Sequence, residues 1–370
     1  MDTSAIDLAP CQLQAIESVR AEAVLLRAES QATLSHILRM SNLAASNVGE
    51  AKEAIREHAR VVLHFHPDRP AGGRLVAEAL LHDGIYKTQF ETGISNGLVA
   101  TRPGGPRDEW ERHLFGGAYQ ADGVTAAQRP RYGALDLMRS ADGPAPRFGS
   151  CFFILKPHAT ARSTFTFGGS QDVPRHRGTA DEMDAVVAAL MEESFTRDCA
   201  LGADETRPPR LLERLRGLKA DYTGIYEHGR ASRNLDHVVE AQVHGEVVLG
   251  RDVEAVVVDA AFRGTSVGRL LDEMASRYGF RILHHGGFAL RAAEVPADFR
   301  GQTMPSLARR VSRPDGVVDT ACLGRAVQSL TEDPALWEDR GTFAEVLQEV
   351  KLLWHVLVKF GRPLHRALDC

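Results

Sequence analysis

Glu240-Ala241-Gln242-Val243-His244-Gly245-Glu246 alternates polar with small or apolar residues. On an extended strand alternate side chains share a face. Glu240, Gln242, His244 and Glu246 then lie on one side, and Ala241, Val243 and Val247 on the other. Two readings stand at this point. One is a solvated outer face. The other is a carboxylate at the floor of a cleft, where it can stabilise a sugar cation as a glycosidic bond breaks.

Working outward, Val238–Val248 and Val253–Asp259 read as strands, with a helix over 265–277 and a strand at Arg281–Leu283. Upstream, Ser150–Leu155 is a buried-strand signal, and Arg162–Phe167 alternates like a strand before Gly168-Gly169. A helix is expected over 180–195, with Thr179 as N-cap and Glu182 as its capping-box partner, and another within 203–220, after Pro209. Residues 101–150 are rich in Gly, Pro and Arg and read as long loops with short elements. Residues 11–60 read as helices. Val61-Val62-Leu63-His64-Phe65-His66 is an apolar run that periodicity assigns to neither strand nor helix. A helix over 73–82 stopping near Gly84 and an alternating strand over 85–90 follow. The C-terminus closes with helices near 318–331 and 342–359; in the latter Val346, Leu347, Val350, Leu353, Leu357 and Phe360 form an apolar stripe.

Two further constellations carry chemistry. His64-Phe65-His66-Pro67-Asp68-Arg69 admits three functional readings: an HxH metal pair, the His-Pro-Asp loop of a J-domain-like interaction module, or a nucleotide-contacting histidine on a first core strand. In Arg162–Ser170, the hydroxyls of Ser163, Thr164 and Thr166 are placed to hold a ligand or a catalytic carboxylate. Strand propensity plus a glycine turn explains the same pattern.

Taken in order, Leu63–Asp68, Ala77–Tyr86, Ser163-Thr164-Phe165-Thr166 and Val239–Gly245 resemble the ADP-ribosyltransferase core. The chain also looks like an uncharacterised bacterial family with FHPD, QFETGISNG, STFTFG and EAQVHG blocks. The resemblance covers about residues 60–290 and implies an α+β fold: an ADP-ribosyltransferase-like split mixed β-sheet core at 61–292, with helical extensions at 1–60 and 293–370. It implies NAD+ as substrate and mono-ADP-ribosyl transfer to a macromolecular acceptor, protein or nucleic acid; NAD+ glycohydrolysis and an HxH metal hydrolase are the rival enzyme classes. Glu240 would stabilise the oxocarbenium-like transition state, with His66 (or His64) holding the ribose and Ser163 and Thr164 orienting Glu240. The implied NAD+-binding set is His64, Arg69, Tyr86, Arg162, Thr164, Thr166 and Gln242. Tyr86 would stack on nicotinamide, and Arg69 or Arg162 would meet the diphosphate; no metal is implied. Two departures matter. Pro67 lacks the backbone N–H that follows the strand-1 histidine in the family. Val238 stands where arginine-modifying members carry Glu or Gln, which argues against an arginine acceptor.

Composition sets the frame. The 370 residues are 44% hydrophobic and 25% charged, as in ordinary globular proteins, with a formal net charge of −5. That charge leaves no footprint for nucleic acid or anionic membrane, although Arg207–Lys219 is locally basic. No run reaches the roughly 18 apolar residues of a membrane span, and MDTSAIDLAP lacks the basic start and apolar core of a secretory signal. Five scattered cysteines, Cys11, Cys151, Cys199, Cys322 and Cys370, read as reduced thiols in a cytoplasmic compartment; export without a cleaved signal would leave the same sequence. Toxin, effector and housekeeping roles are all open. The terminal helices are candidates for docking a neutralising or chaperone partner.

Overall fold

The computed structural model describes residues 7–93, 101–219, 221–222 and 224–368. The first six residues of the start scanned for a signal, residues 94–97 of the QFETGISNG block, and Cys370 lie outside the described residues. Three helices come first: α1 (Pro10–Leu25), α2 (Arg27–Met40) and α3 (Ser46–His58). The strands of the main sheet are β1 (Arg60–Phe65), β2 (Arg131–Asp136), β3 (Cys151–Leu155), β4 (Ser163–Phe167), β5 (Arg177–Thr179), β6 (Val239–Val243), β7 (Val253–Asp259) and β8 (Arg281–His285). Between them run α4 (Val76–Asp83), α5 (Pro106–Leu114), α6 (Asp184–Arg197), α7 (Pro208–Arg216) and α8 (Ser266–Tyr278). After them come α9 (Met304–Val311), α10 (Thr320–Glu332) and α11 (Phe343–Phe360).

The strands lie in the order β8-β7-β3-β1-β2-β6-β4-β5. Neighbours are antiparallel except β7 and β8, which are parallel and joined through α8, as a parallel pair requires. The protein is α+β, with a large mixed sheet. β1 is buried along its whole length, which explains why its apolar run shows no alternation. One sheet face carries Val61, Leu63, Phe65, Leu135, Phe153, Phe165 and Val239, packed with Ile55 of α3, Leu80 of α4, Leu190 of α6 and Leu271 of α8. Each such Leu or Phe contributes about 1.5–3 kcal/mol on burial. A one-residue slip would turn these side chains onto the other face, so the register is strongly specified.

That other face is divided. Its β1–β3–β7 part is apolar: Val62, Phe152, Ile154, Ala255 and Val257 pack under Tyr222 and Tyr226. Its β2–β6–β4 part is polar. Val62 and Glu240 both pair with Ala134, and Glu240 pairs with Thr166 on its other side. Tyr132 pairs with Gln242, and Gln242 with Thr164. Continuing the β1–β2 register brings His64 level with Tyr132.

Several expectations are corrected. β2, at the centre of the sheet, runs through the segment read as long loops. Gly133 interrupts its apolar pattern for a steric reason: a Cβ there would sit 2.6 Å from Leu63 Cδ2 and closer still to the carbonyl oxygen of Val62. The Val238–Val248 run breaks after Val243, where Gly245 takes φ +78°, so Glu246 is exposed and leaves the row shared by Glu240, Gln242 and His244. The strand expected over 85–90 is only Ile85–Tyr86. The helix expected from 180 begins at Asp184; Thr179 ends β5, and its Oγ1 accepts from the Glu182 N–H in a turn. The helix expected after Pro209 and up to residue 220 runs over Pro208–Arg216 and so ends earlier.

Helices α2 and α3 complete the main core, since Ile37, Val48, Ala51 and Ile55 belong to it, whereas α1 packs Ala15 and Val19 against Leu114, Phe115 and Tyr119. The C-terminal helices have a separate core of Met304, Leu307, Leu323, Val350, Leu353 and Trp354. Phe288 and Leu290 also belong there, so this unit begins before residue 293. Cys11, Cys151, Cys199 and Cys322 are free thiols. Among the described residues, no helix is long and apolar enough to cross a membrane.

Gly133→Ala should destabilise the protein by about 2 kcal/mol or more, because the clash is with backbone in the middle of the sheet. Urea unfolding measures this, and an unchanged midpoint would contradict the register.

Candidate active site

Glu240 is 8% exposed on the polar half of the sheet face. Its Oε1 accepts from the Ser170 backbone N–H at 3.2 Å and from Gln242 Nε2 at 3.0 Å. Burial raises its pKa above the ordinary carboxylate range, while the Ser170 and Gln242 hydrogen bonds and the Arg107 charge pull the other way.

Behind Glu240 the polar groups form a chain with one direction. Because Gln242 donates to the carboxylate, its Oε1 is the acceptor for the Thr164 hydroxyl, at 2.8 Å. With its proton so used, Thr164 Oγ1 accepts from His244 Nε2 at 3.1 Å. His244 Nδ1 is then the acceptor for the Tyr119 O–H, at 2.5 Å. The imidazole is neutral: burial, followed by the Arg162 charge, lowers its pKa to about 3. Four successive dipoles thus point at one carboxylate, an arrangement in which each bond polarises the next.

Helix α5 supplies the roof. Pro106 at its start and Asp108 and Glu109 in its first turn are ordinary helix-start signals, missed within a Gly- and Pro-rich stretch. Glu111, fully buried, accepts from Tyr132 Oη at 2.9 Å and Arg129 Nη1 at 2.7 Å. Arg129 also pairs with Asp108 at 2.5 Å. Arg107 lies over the Tyr132 ring at 4.7 Å and the Trp110 ring at 5.3 Å. Arg107, Trp110, Glu111, Tyr132 and Ser170 therefore join Glu240, although no short motif marks them in the sequence.

Of the residues singled out from the sequence, Glu240, Gln242, Thr164 and Thr166 meet. Thr166 pairs with Glu240 and donates to the Gly168 carbonyl. His64 shares their face but is spent: its Nδ1 donates to the Gly149 carbonyl at 2.9 Å, and its Nε2 accepts from the Ala145 N–H at 3.2 Å. Burial lowers it to about 3, so it is a neutral loop anchor rather than a ribose holder. Ser163 points away and donates to Ala159, so it does not orient Glu240. Tyr86 packs edge-on to Phe153 on the opposite face of the sheet from Glu240, which rules out the stacking role there. Arg162 holds the turn after β6 through the carbonyls of His244 and Glu246 and pairs with Asp252. Arg69 donates to the Leu323 carbonyl, and His66 meets Trp354 edge-on at 4.9 Å, both toward the C-terminal unit. Neither arginine is placed for a diphosphate at Glu240, nor His66 for its ribose.

His66-Pro67-Asp68 leaves a central strand, not a helix, and Asp68 is 3% exposed; a J-domain loop presents this tripeptide between helices. Among the described residues, no three His, Cys, Asp or Glu side chains gather as a metal site. A cavity of about 380 Å³ lined by Phe262, Arg263, Asp272 and His284 lies by β7 and β8, away from Glu240.

Residues 60–360 match a family model described as a protein of unknown function (DUF3626), and the chain belongs to that family. No curated protein matches it. The matched stretch contains both Glu240 and the whole of α11.

Thr164→Val strips two buried groups of their partner and should cost on the order of 2–4 kcal/mol, whereas Ser163→Ala should cost about 1 kcal/mol. Denaturant melts compare the two, and equal costs would refute the chain. Asp68 gives a pH test. Both its oxygens are buried without partners, and burial raises its pKa from 3.8 to about 6. The charge penalty is absent below pH 4, grows between 4 and 6 and is complete above 6. Asp68→Asn should therefore stabilise the protein by about 1–3 kcal/mol at pH 8, with the gain vanishing at pH 4. A gain of equal size at both pH values would exclude this explanation.

Proposed function

We propose that this protein consumes NAD+ by mono-ADP-ribosyl transfer to a macromolecular acceptor, with Glu240 as the catalytic carboxylate. The observation that carries the reading is the one-way hydrogen-bond chain from Tyr119 to Glu240, which favours a negative charge on a largely desolvated group. Such a fixed charge attracts the cation that develops at the ribose C1′ as the bond to nicotinamide breaks. The electron pair of that bond leaves with nicotinamide, and a nucleophile of the acceptor attacks C1′ and gives up its proton.

Tyr132 takes the place first assigned to a histidine, since it pairs with Gln242 in the sheet. Its ring and that of Trp110, spanned by Arg107, offer flat surfaces for nicotinamide and a guanidinium for the neighbouring phosphates. Gln242 and Thr164 act as positioning residues, because they reach Glu240 rather than the substrate. NAD+ hydrolysis would use the same carboxylate with water as acceptor.

Incubation with radiolabelled NAD+ and cell lysate tests this. Label is expected in the macromolecular fraction, and Glu240→Gln should lower turnover by about 10²–10³-fold. Label only in free ADP-ribose would favour hydrolysis. NAD+ left intact, or equal turnover by Glu240→Gln, would refute the proposal.

A further inference from the structure

We propose that Arg147, Arg300, Lys351 and His355 form a binding site for a phosphate-bearing anion, where α11 meets the loop between β2 and β3. The positions are fixed independently of any ligand. Trp354 Nε1 donates to the carbonyls of Pro146 and Arg147, at 3.1 Å each, and clamps that loop to α11. Lys351 and His355 stand one turn apart on α11 and share a face. Phe299 meets Phe360 edge-on at 5.2 Å, which lays Arg300 along the same helix.

The charges do not cancel. Arg147 pairs with the exposed Asp236, but Arg300 and Lys351 have no carboxylate partner among the described residues. Burial, then the charges of Arg147 and Arg300, lowers the Lys351 pKa; burial and all three cations bring His355 to about 3. The Nε atoms of Arg147 and Arg300 are buried without partners. His355 is the second, independent sign of a ligand: it is 2% exposed, yet both ring nitrogens lack a partner. Such groups carry a desolvation cost of about 1–3 kcal/mol each, in contrast to the fully bonded His64 and His244. An anion between the three cations would accept from the two arginine Nε–H groups and from the single N–H of the neutral His355 ring. Phosphate oxygens suit this set, because they accept from a guanidinium fork and an ammonium together. Asp68 does not oppose such an anion, because its carboxylate is turned toward Gly324.

The site is separate from Glu240, and its readout is binding, so it stands or falls apart from NAD+ turnover. Calorimetric titration of the full chain at low salt with pyrophosphate, ADP and adenosine is the test. Pyrophosphate and ADP are expected to bind and adenosine not. Tighter ADP binding would identify a nucleotide ligand, and tighter pyrophosphate binding a free one. Lys351→Met and Arg300→Met should each weaken pyrophosphate about tenfold, with an unchanged melting temperature. No binding of pyrophosphate at millimolar concentration, or unaltered affinity in the Lys351→Met/Arg300→Met double variant, would overturn the proposal.

Discussion

A carboxylate removed from water takes up a proton unless donors meet it, and this requirement organises the polar half of the sheet. Glu240 is met by a backbone N–H at Ser170 and by an amide whose orientation is forced from behind. Gln242 can donate to Glu240 only because Thr164 occupies its oxygen. Thr164 is so oriented because His244 presents Nε2–H, and His244 presents it because Tyr119 takes its other nitrogen. A group four hydrogen bonds away thus determines how the carboxylate is held. A protonated His244 would reverse the bond to Tyr119, which is why its burial matters as much as its contacts.

The sheet makes this arrangement affordable by separating its faces. Apolar residues on the face against α3, α4, α6 and α8 supply the burial, so the opposite face is free to carry Glu240, Gln242, Thr164 and Thr166. The same division gives the two histidines of β1 and β6 different duties. His64 ties the β2–β3 loop to the sheet through two backbone groups, and His244 transmits polarity toward the carboxylate.

The row of Glu240, Gln242 and His244 was legible from alternation alone, as were the hydroxyls of β4, because strand period and residue type suffice there. The partners of that row were not. Tyr132 and Gly133 lie in a segment whose Gly and Pro content signals loops, and the glycine is present for close approach to Val62, not for a turn. Arg107 and Glu111 reach the site only through the docking of α5, held by an ion pair between Glu111 and Arg129, 18 residues along the chain. His64 illustrates the converse: its placement on the shared face followed from its position, but its chemistry was decided by Ala145 and Gly149, which no local pattern connects to it.

Satisfied and unsatisfied polar groups are unevenly distributed. Behind Glu240 the row from Gln242 to Tyr119 is bonded at every step, which makes a rigid support, while Arg107 Nε in the roof lacks an acceptor. In the seam with the C-terminal unit, the Nε atoms of Arg147 and Arg300 and both nitrogens of His355 have no partner. A fold with no use for that seam could fill it with apolar side chains of similar size and gain stability. Retaining cations and a neutral imidazole there makes sense if the missing partners arrive with a ligand; under the two proposals above, one region is preorganised for charge that appears during a reaction and the other for charge that is carried in.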